Sequence, residues 1–385
     1  MDPITTFRTT QRVVMGAGAL NNIVDEIRGL GAGRVLIVTD PGMIKTGIID
    51  RIKGLLAQGE IFFTCFDRVE ADPRYEIVDE VSAMVKDGGI DLILGVGGGS
   101  SLDIAKMTSV MATNPGTVHD YFGIDLVKTP GVPTILVPTT SGTGSEVTPI
   151  VILSDHGEKL KKGVVSPHLF PACALLDPEL TVGLPPQVTA ATGMDALIHA
   201  LEAYTSVNAT PMTDLLAVRA MELIYGSIRT AYANGENIQA RRNMLEGSML
   251  AGMAFANAGV TAVHAFAYPI GAEFHIPHGI ANTIMLAPVM NFNIIGNLDK
   301  FVDIAKIFGQ EIAGLSPRKA AQAGVAAIEE LAEDLNVPRR LSEYGVGEEH
   351  LPGLAEGVMK VTRLLANNPR ALSLKDAEAI YAQVL

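Results

Sequence analysis

Through its first half the chain alternates short apolar runs of strand character with segments of helical period, and after Leu184-Pro185-Pro186 that alternation stops. Few architectures accept such a pattern. Residues 35–39, 61–63 and 92–96 are apolar runs too short for helices, while 77–86 and 102–112 space their apolar positions as a helix does. Strand and helix in turn imply a parallel sheet covered by helices. Further strand candidates lie at 133–137, 149–153 and 174–176. Beyond the two prolines, residues 195–204, 217–232, 244–255 and 317–335 are rich in Ala, Leu and Met at helical spacing. The expected fold is an α/β domain with a parallel sheet over 1–186 and an all-α domain over 187–385, with the prolines stopping regular structure at the join. A length of 385 residues exceeds what one core usually serves, which agrees with two domains.

A net charge of −13 offers no basic face to nucleic acid or to an anionic membrane, so neither is an expected partner and a small-molecule site is. Cys65 and Cys173 are the only cysteines, each in apolar sequence, which fits buried thiols in a reducing compartment. The opening Met1-Asp2-Pro3-Ile4-Thr5-Thr6 has neither the basic stretch nor the apolar run of a secretory signal, and a cytoplasmic address is expected. Residues 247–272 carry no formal charge and are long enough to resemble a membrane span. Asn257, Thr261, His264 and Pro269 interrupt them, and Gly and Ala dominate, so they are read as a buried helix lining a site.

Gly97-Gly98-Gly99-Ser100-Ser101 follows one strand candidate and precedes a helix expected near Leu102. Glycines there admit a pyrophosphate close to the backbone, and the helix N-terminus offers unpaired N–H groups to it. The run is not G-x-G-x-x-G, and alone it equally describes a tight turn. Pro138-Thr139-Thr140-Ser141-Gly142-Thr143-Gly144-Ser145-Glu146 follows a second strand, and two such loops at strand ends of one sheet suggest a dinucleotide. Asp40 closes the 35–39 strand, where a carboxylate accepts from ribose hydroxyls and repels a 2′-phosphate, favouring NAD over NADP. Asp40 before Pro41-Gly42 also suits a turn former.

Asp195 and His199 are four apart in Gly193-Met194-Asp195-Ala196-Leu197-Ile198-His199, so on a helix both leave the same face, as chelation requires. A salt bridge or a core hydrogen bond uses the same spacing. His264 and His278 sit in apolar stretches, where an imidazole needs a hydrogen bond or a ligand. One carboxylate and three imidazoles would hold a divalent ion and leave a position open for Lewis-acid chemistry.

Together these motifs resemble the iron-containing, or group III, alcohol dehydrogenases along essentially the whole chain: Gly-Gly-Gly-Ser with Asp103 three residues on, Pro-Thr-Thr-Ser-Gly-Thr-Gly-Ser-Glu, Gly-Met-Asp-Ala-Leu-Ile-His, Pro-His-Gly and Asn367-Asn368-Pro369-Arg370. The resemblance implies an architecture shared with dehydroquinate synthase, with the active site in the cleft between the domains. It places metal ligands at Asp195, His199, His264 and His278, and cofactor contacts at Asp40, Gly98, Gly99, Ser100, Asp103, Thr139, Thr140, Thr143, Lys161 and Leu180. Asp72, beside Pro73, stands where the family often has Asn. Many members resemble one another in a histidine four residues after the third ligand, thought to relay the alcohol proton, but here that residue is Tyr268. Tyr268 or His275 is the expected substitute, with a water chain as the third route, and Asp103 is counted among the catalytic candidates too. The pocket positions of similar proteins fall on Ile150, Ile152, Phe255 and Leu364, all apolar, which predicts simple primary aliphatic alcohols rather than diols or hydroxy acids.

The expected activity is hydride exchange between such an alcohol or its aldehyde and NAD(H), with Fe²⁺ favoured by the resemblance and Zn²⁺ or another divalent ion admitted by the ligand types. The resemblance also implies a homodimer or larger homo-oligomer. Dehydroquinate synthase-like chemistry would need a basic cluster, for which only Lys161 and Lys162 offer themselves, and glycerol dehydrogenases use fewer metal ligands. A non-catalytic, NAD-binding assembly subunit is the remaining alternative.

Overall fold

The computed structural model describes residues 4–155, 157 and 160–385; the first three residues of the opening segment discussed above lie outside them. The six expected apolar runs of the first half become strands β2 (Arg34–Val38), β3 (Phe62–Phe66), β4 (Leu92–Gly97), β6 (Thr134–Pro138), β7 (Ile150–Asp155) and β9 (Cys173–Leu176), and β1 (Val13–Met15), β5 (Gly123–Ile124) and β8 (Leu160–Val165) are strands that the sequence reading did not expect. Six of them form a parallel sheet in the order β1-β9-β6-β4-β2-β3. Side chains alternate between its faces. Val35 and Ile37 join Leu92, Leu94, Val96, Ile135 and Val137 in one core, and Leu36 and Val38 join Ile93 and Leu136 in another. The Ile48–Gln58 helix covers the first with Ile49, Ile52 and Leu56, and the Glu76–Gly88 and Gly99–Thr113 helices cover the second. Two covered faces explain why these strands read as unbroken apolar runs rather than alternating ones.

The 149–153 run is a strand, but of a second sheet, where β7 pairs antiparallel with β8 and β8 parallel with β5. Contacts divide the chain into one compact unit, Thr9–Leu184, and another, Pro185–Leu385, which residues 4–8 join. Arg8 N donates to Asn257 Oδ1 at 2.8 Å and Asn257 Nδ2 donates back to Arg8 O at 2.9 Å, which the expected division into 1–186 and 187–385 did not foresee.

The paired prolines do not stop regular structure. Pro186 is the first residue of the Pro186–Thr205 helix. A first-turn proline costs nothing there, because its missing N–H would have had no intrahelical acceptor. Pro269 and Pro288 also lie within helices. Residues 247–272 are not one buried helix either: the Ile238–Ala258 helix ends at Gly259, and the Ala262–Phe274 helix departs at 102°. That bent pair and His278–Gly296, of mean hydropathy 1.3, are long and apolar enough to cross a membrane. His278–Gly296 is 61% buried within the protein and begins with a polar cluster, as befits a core helix.

Candidate metal centre

The Pro186–Thr205 helix presents Asp195, His199 and Glu202 at i, i+4 and i+7, hence on one face. All three are buried, with 4%, 6% and 0% exposure. His264, the third residue of the Ala262–Phe274 helix, meets them: one donor atom each from Asp195, His199 and His264 lies within 4.8 Å of the others. His264 Nε2 stands 3.1 Å from His199 Nε2 and 3.9 Å from Asp195 Oδ1. His275, left-handed at φ 54°, and Pro277 break the chain, so that His278 opens a new helix with its Nε2 3.8 Å from the same Asp195 oxygen. The His278 side chain is 34% exposed, against 5% or less for Asp195 and His264, so solvent reaches the cluster at His278.

These residues fit a divalent ion. A tetrahedral ion with bonds near 2.1 Å holds its donor atoms roughly 3.4 Å apart; the His199–His264, Asp195–His278 and Asp195–His264 pairs stand 3.1, 3.8 and 3.9 Å apart, and Asp195, His199 and His264 form the group whose donor atoms all lie within 4.8 Å of one another. The cluster is also short of positive partners. Asn282 Nδ2 has two hydrogens, yet it stands 2.8 Å from Asp195 Oδ1, 3.2 Å from His264 Nε2 and 3.1 Å from His278 Nε2, while its own buried Oδ1 has no partner. A cation would meet the surplus of lone pairs. Burial pushes the Asp195 carboxyl up, but His199, His278, His264 and the Asn282 amide outweigh it and hold the group below its ordinary range. Burial lowers His264, but Glu202 and Asp195 together outweigh it and raise the imidazole above its ordinary value.

Tyr268 lies one turn beyond His264, its ring centred 6.3 Å from that of His278. Burial raises its phenol pKa, so it remains a neutral donor at neutral pH. His275 is exposed at the helix end. Phe255 stacks on His199 at 4.3 Å, and Leu364 is fully buried. Sequence reasoning missed Glu202 and Asn282, although spacing marks both: Glu202 follows Asp195 by seven, and Asn282 follows His278 by four.

In the α/β unit the two hydroxyl-rich loops leave adjacent strands, with Gly97 paired to Pro138 and Thr139 N donating to Gly97 O at 3.0 Å. The helix begins at Gly99 rather than near Leu102, and no side chain caps it. Its N–H groups therefore stay available to a phosphate. A Cβ on Gly99 would lie 2.6 Å from Thr143 Cγ2, so glycine is what lets the loops touch. Asp103 ties them together, accepting from Ser145 Oγ at 2.6 Å and from Ile152 N at 2.8 Å. One turn on, the buried Lys106 donates to the carbonyls of Ser145 at 3.0 Å and Ile150 at 2.5 Å, a role that sequence reasoning did not assign.

Asp40 caps the Pro41–Lys45 helix through Oδ1 and receives Ser101 Oγ on Oδ2 at 3.2 Å, so the turn-forming reading holds and its second oxygen still faces the glycine loop. Thr139 Oγ1 is directed at Met43 Sδ, and Thr140 lies beside Gly98. Lys161 pairs with Asp72 at 2.5 Å. The Leu180 side chain packs in the core. Ile150 and Ile152, two apart on β7, share one face of that strand.

The family model for iron-containing alcohol dehydrogenase matches residues 10–178, and that for the C-terminal region of the Fe-containing alcohol dehydrogenase family matches residues 189–385. The chain belongs to the iron-containing alcohol dehydrogenase family. Long-chain-alcohol dehydrogenase 1 of Geobacillus thermodenitrificans is 44% identical, covering 95% of this chain and 93% of its own. The sulfoacetaldehyde reductase of Bilophila wadsworthia is 41% identical, with 95% of each covered. A crystal structure of 1,3-propanediol oxidoreductase superposes with a TM-score of 0.97 at 38% identity over the whole of both chains. As a member of this iron-containing family the protein is an oxidoreductase of alcohols and aldehydes, and the family implies NAD(H) and a divalent metal.

Proposed function

We propose that this dehydrogenase exchanges hydride between small primary aliphatic alcohols and NAD, with Fe²⁺ held by Asp195, His199, His264 and His278. The observation that carries the substrate class is the apolar wall on the metal ligands, where Phe255 stacks on His199. Leu364, on the short Thr362–Leu365 helix that packs against Tyr268's helix, and Ile150 and Ile152 on β7 are the other apolar positions that the family resemblance assigns to substrate. A hydroxyl or carboxylate against such side chains would lose its water without a replacement, at a cost of about 1–3 kcal/mol. Of the relatives named above, the long-chain-alcohol enzyme acts on the substrate that best suits this wall.

A divalent ion supplies Lewis acidity toward an alcohol or carbonyl oxygen, and NAD(H) takes or gives the hydride. The chain's own groups bind and orient. Gly98, Gly99 and Ser100 are assigned to the pyrophosphate, supported by the uncapped helix start. Thr139, Thr140, Thr143, Lys161 and Leu180 are assigned along the rest of the cofactor, and Asp40 selects NAD by its charge. Asp103 serves by tying the loops rather than by proton transfer, since both its oxygens are engaged. Iron rather than zinc, a cytoplasmic address and a homodimer or larger assembly rest on the family resemblance and on composition.

The test is a comparison of kcat/KM for 1-butanol and 1,2-propanediol with NAD. Butanol is expected to lead by about tenfold or more; a diol preference would refute the substrate class.

Tyr268 is assigned the proton relay, because its ring is centred 6.3 Å from that of His278, the ligand at which solvent reaches the cluster, and it is a neutral phenol. Tyr268→Phe should lower kcat by about 10²-fold or more without changing metal content, and His275→Ala should stay near the parent. A larger loss in His275→Ala would move the role there, and little loss in either would leave it to water.

A further inference from the structure

We propose that Glu202 is a positioning residue that decides which nitrogen of His264 faces the divalent ion. The inference rests on the reading of Asp195, His199 and His264 as the metal centre. Glu202 is fully buried and lies one turn beyond His199. Its Oε1 accepts from Thr261 Oγ1 at 2.6 Å and from Val263 N at 2.7 Å, and its Oε2 meets His264 Nδ1 in a short contact. An ionised carboxylate only accepts, so all three partners act as donors toward it.

Two consequences follow from this arrangement. Thr261 and Val263 are the N-cap and second residue of the helix that carries His264 third, and Thr261 makes no side-chain cap of its own. Glu202 therefore caps that helix from outside, at the end where the backbone dipole favours an anion. The same carboxylate holds the His264 proton on Nδ1, which leaves the lone pair on Nε2. Nε2 is the nitrogen directed at His199, Asp195 and the Asn282 amide. One carboxylate thus sets both where the ligand stands and which of its atoms can bind.

Glu202→Gln separates these two roles. The Gln carbonyl can still accept from Thr261 and Val263, which turns its NH₂ toward His264 Nδ1. The imidazole must then accept at Nδ1 and carry its proton on Nε2, where a metal cannot bind. The variant should bind Zn²⁺ about 10- to 100-fold more weakly than the parent in competition with a chromophoric chelator. Its Co²⁺ form should show an altered visible spectrum, while the metal-free proteins unfold at similar temperatures. Glu202→Asp, which keeps the charge, should retain more affinity than the Gln variant.

Parent-like Zn²⁺ affinity and an unchanged Co²⁺ spectrum in Glu202→Gln would overturn the proposal. Should that variant fail to fold, ¹⁵N NMR of the histidine-labelled parent loaded with Zn²⁺ decides it: a His264 proton on Nδ1 is expected, and one on Nε2 overturns the assignment. A parent that takes up neither Zn²⁺ nor Co²⁺ would instead remove the metal centre itself, and this role with it.

Discussion

Asp195→Ala is expected to yield a folded protein that keeps no divalent ion through dialysis and reduces aldehydes at least about 10³-fold more slowly than the parent. Asp195 is the one carboxylate among the expected ligands, and its neighbours keep it ionised despite burial. Without it the ion would face neutral imidazoles alone. The Asn282 amide would also lose its shortest acceptor, at 2.8 Å. Lewis-acid stabilisation of a developing alkoxide amounts to several kcal/mol, and each 1.36 kcal/mol is about a factor of ten in rate. Metal content by mass spectrometry, set beside the rate of NADH oxidation, checks both halves. Undiminished turnover by a variant shown to be free of metal would end the Lewis-acid reading.

Gly279→Ala should be nearly as damaging, although the added methyl touches no ligand. A Cβ at Gly279 would lie 2.3 Å from Ala191 O and 2.9 Å from Ala191 C. Both are backbone atoms and cannot rotate away. Ala191 is one turn before Asp195, and Gly279 directly follows His278, so the methyl would force apart the two helices whose approach forms the site. Overpacking of this kind costs about 1–3 kcal/mol, which for a unit of this size lowers Tm by roughly 2–12 °C. The separation would also draw His278 and Asn282 from Asp195, so the increment in Tm on adding Zn²⁺ should shrink as well. Thermal unfolding with and without the ion measures the two effects. Parent values for both would show that the helices can yield at that point. The contact gives the glycine of Pro-His-Gly a physical reason: no other residue lets these backbones approach so closely.

Much of the site was legible where its residues share an element. Asp195 and His199 follow from the 3.6-residue period, and the glycine loop follows from a strand run meeting a helix run. Spacing could also have found Glu202 and Asn282, but a Glu in an apolar helix and an Asn beside a histidine have many uses, and neither declares its partner. The prolines misled for a related reason. Pro186 is a stop signal inside a helix and a start signal at its first turn, and only the position of the helix tells them apart.

The sequence by itself determined the element types, the parallel α/β character of the first half, the helical second half and the one-helix pair that begins the metal centre, because those are local consequences of period and of chain conformation. The tertiary structure alone decided the strand order and the transfer of β7 to a second sheet. It also placed His264 and His278 beside Asp195 while leaving His275 at an exposed helix end. It directed the Glu202 carboxylate onto His264, and the Asn282 amide among three lone pairs. Each of these joins residues from different elements, and the energy that selects the pairing, the satisfaction of buried charge and the close approach of two helices, exists only once the chain has packed.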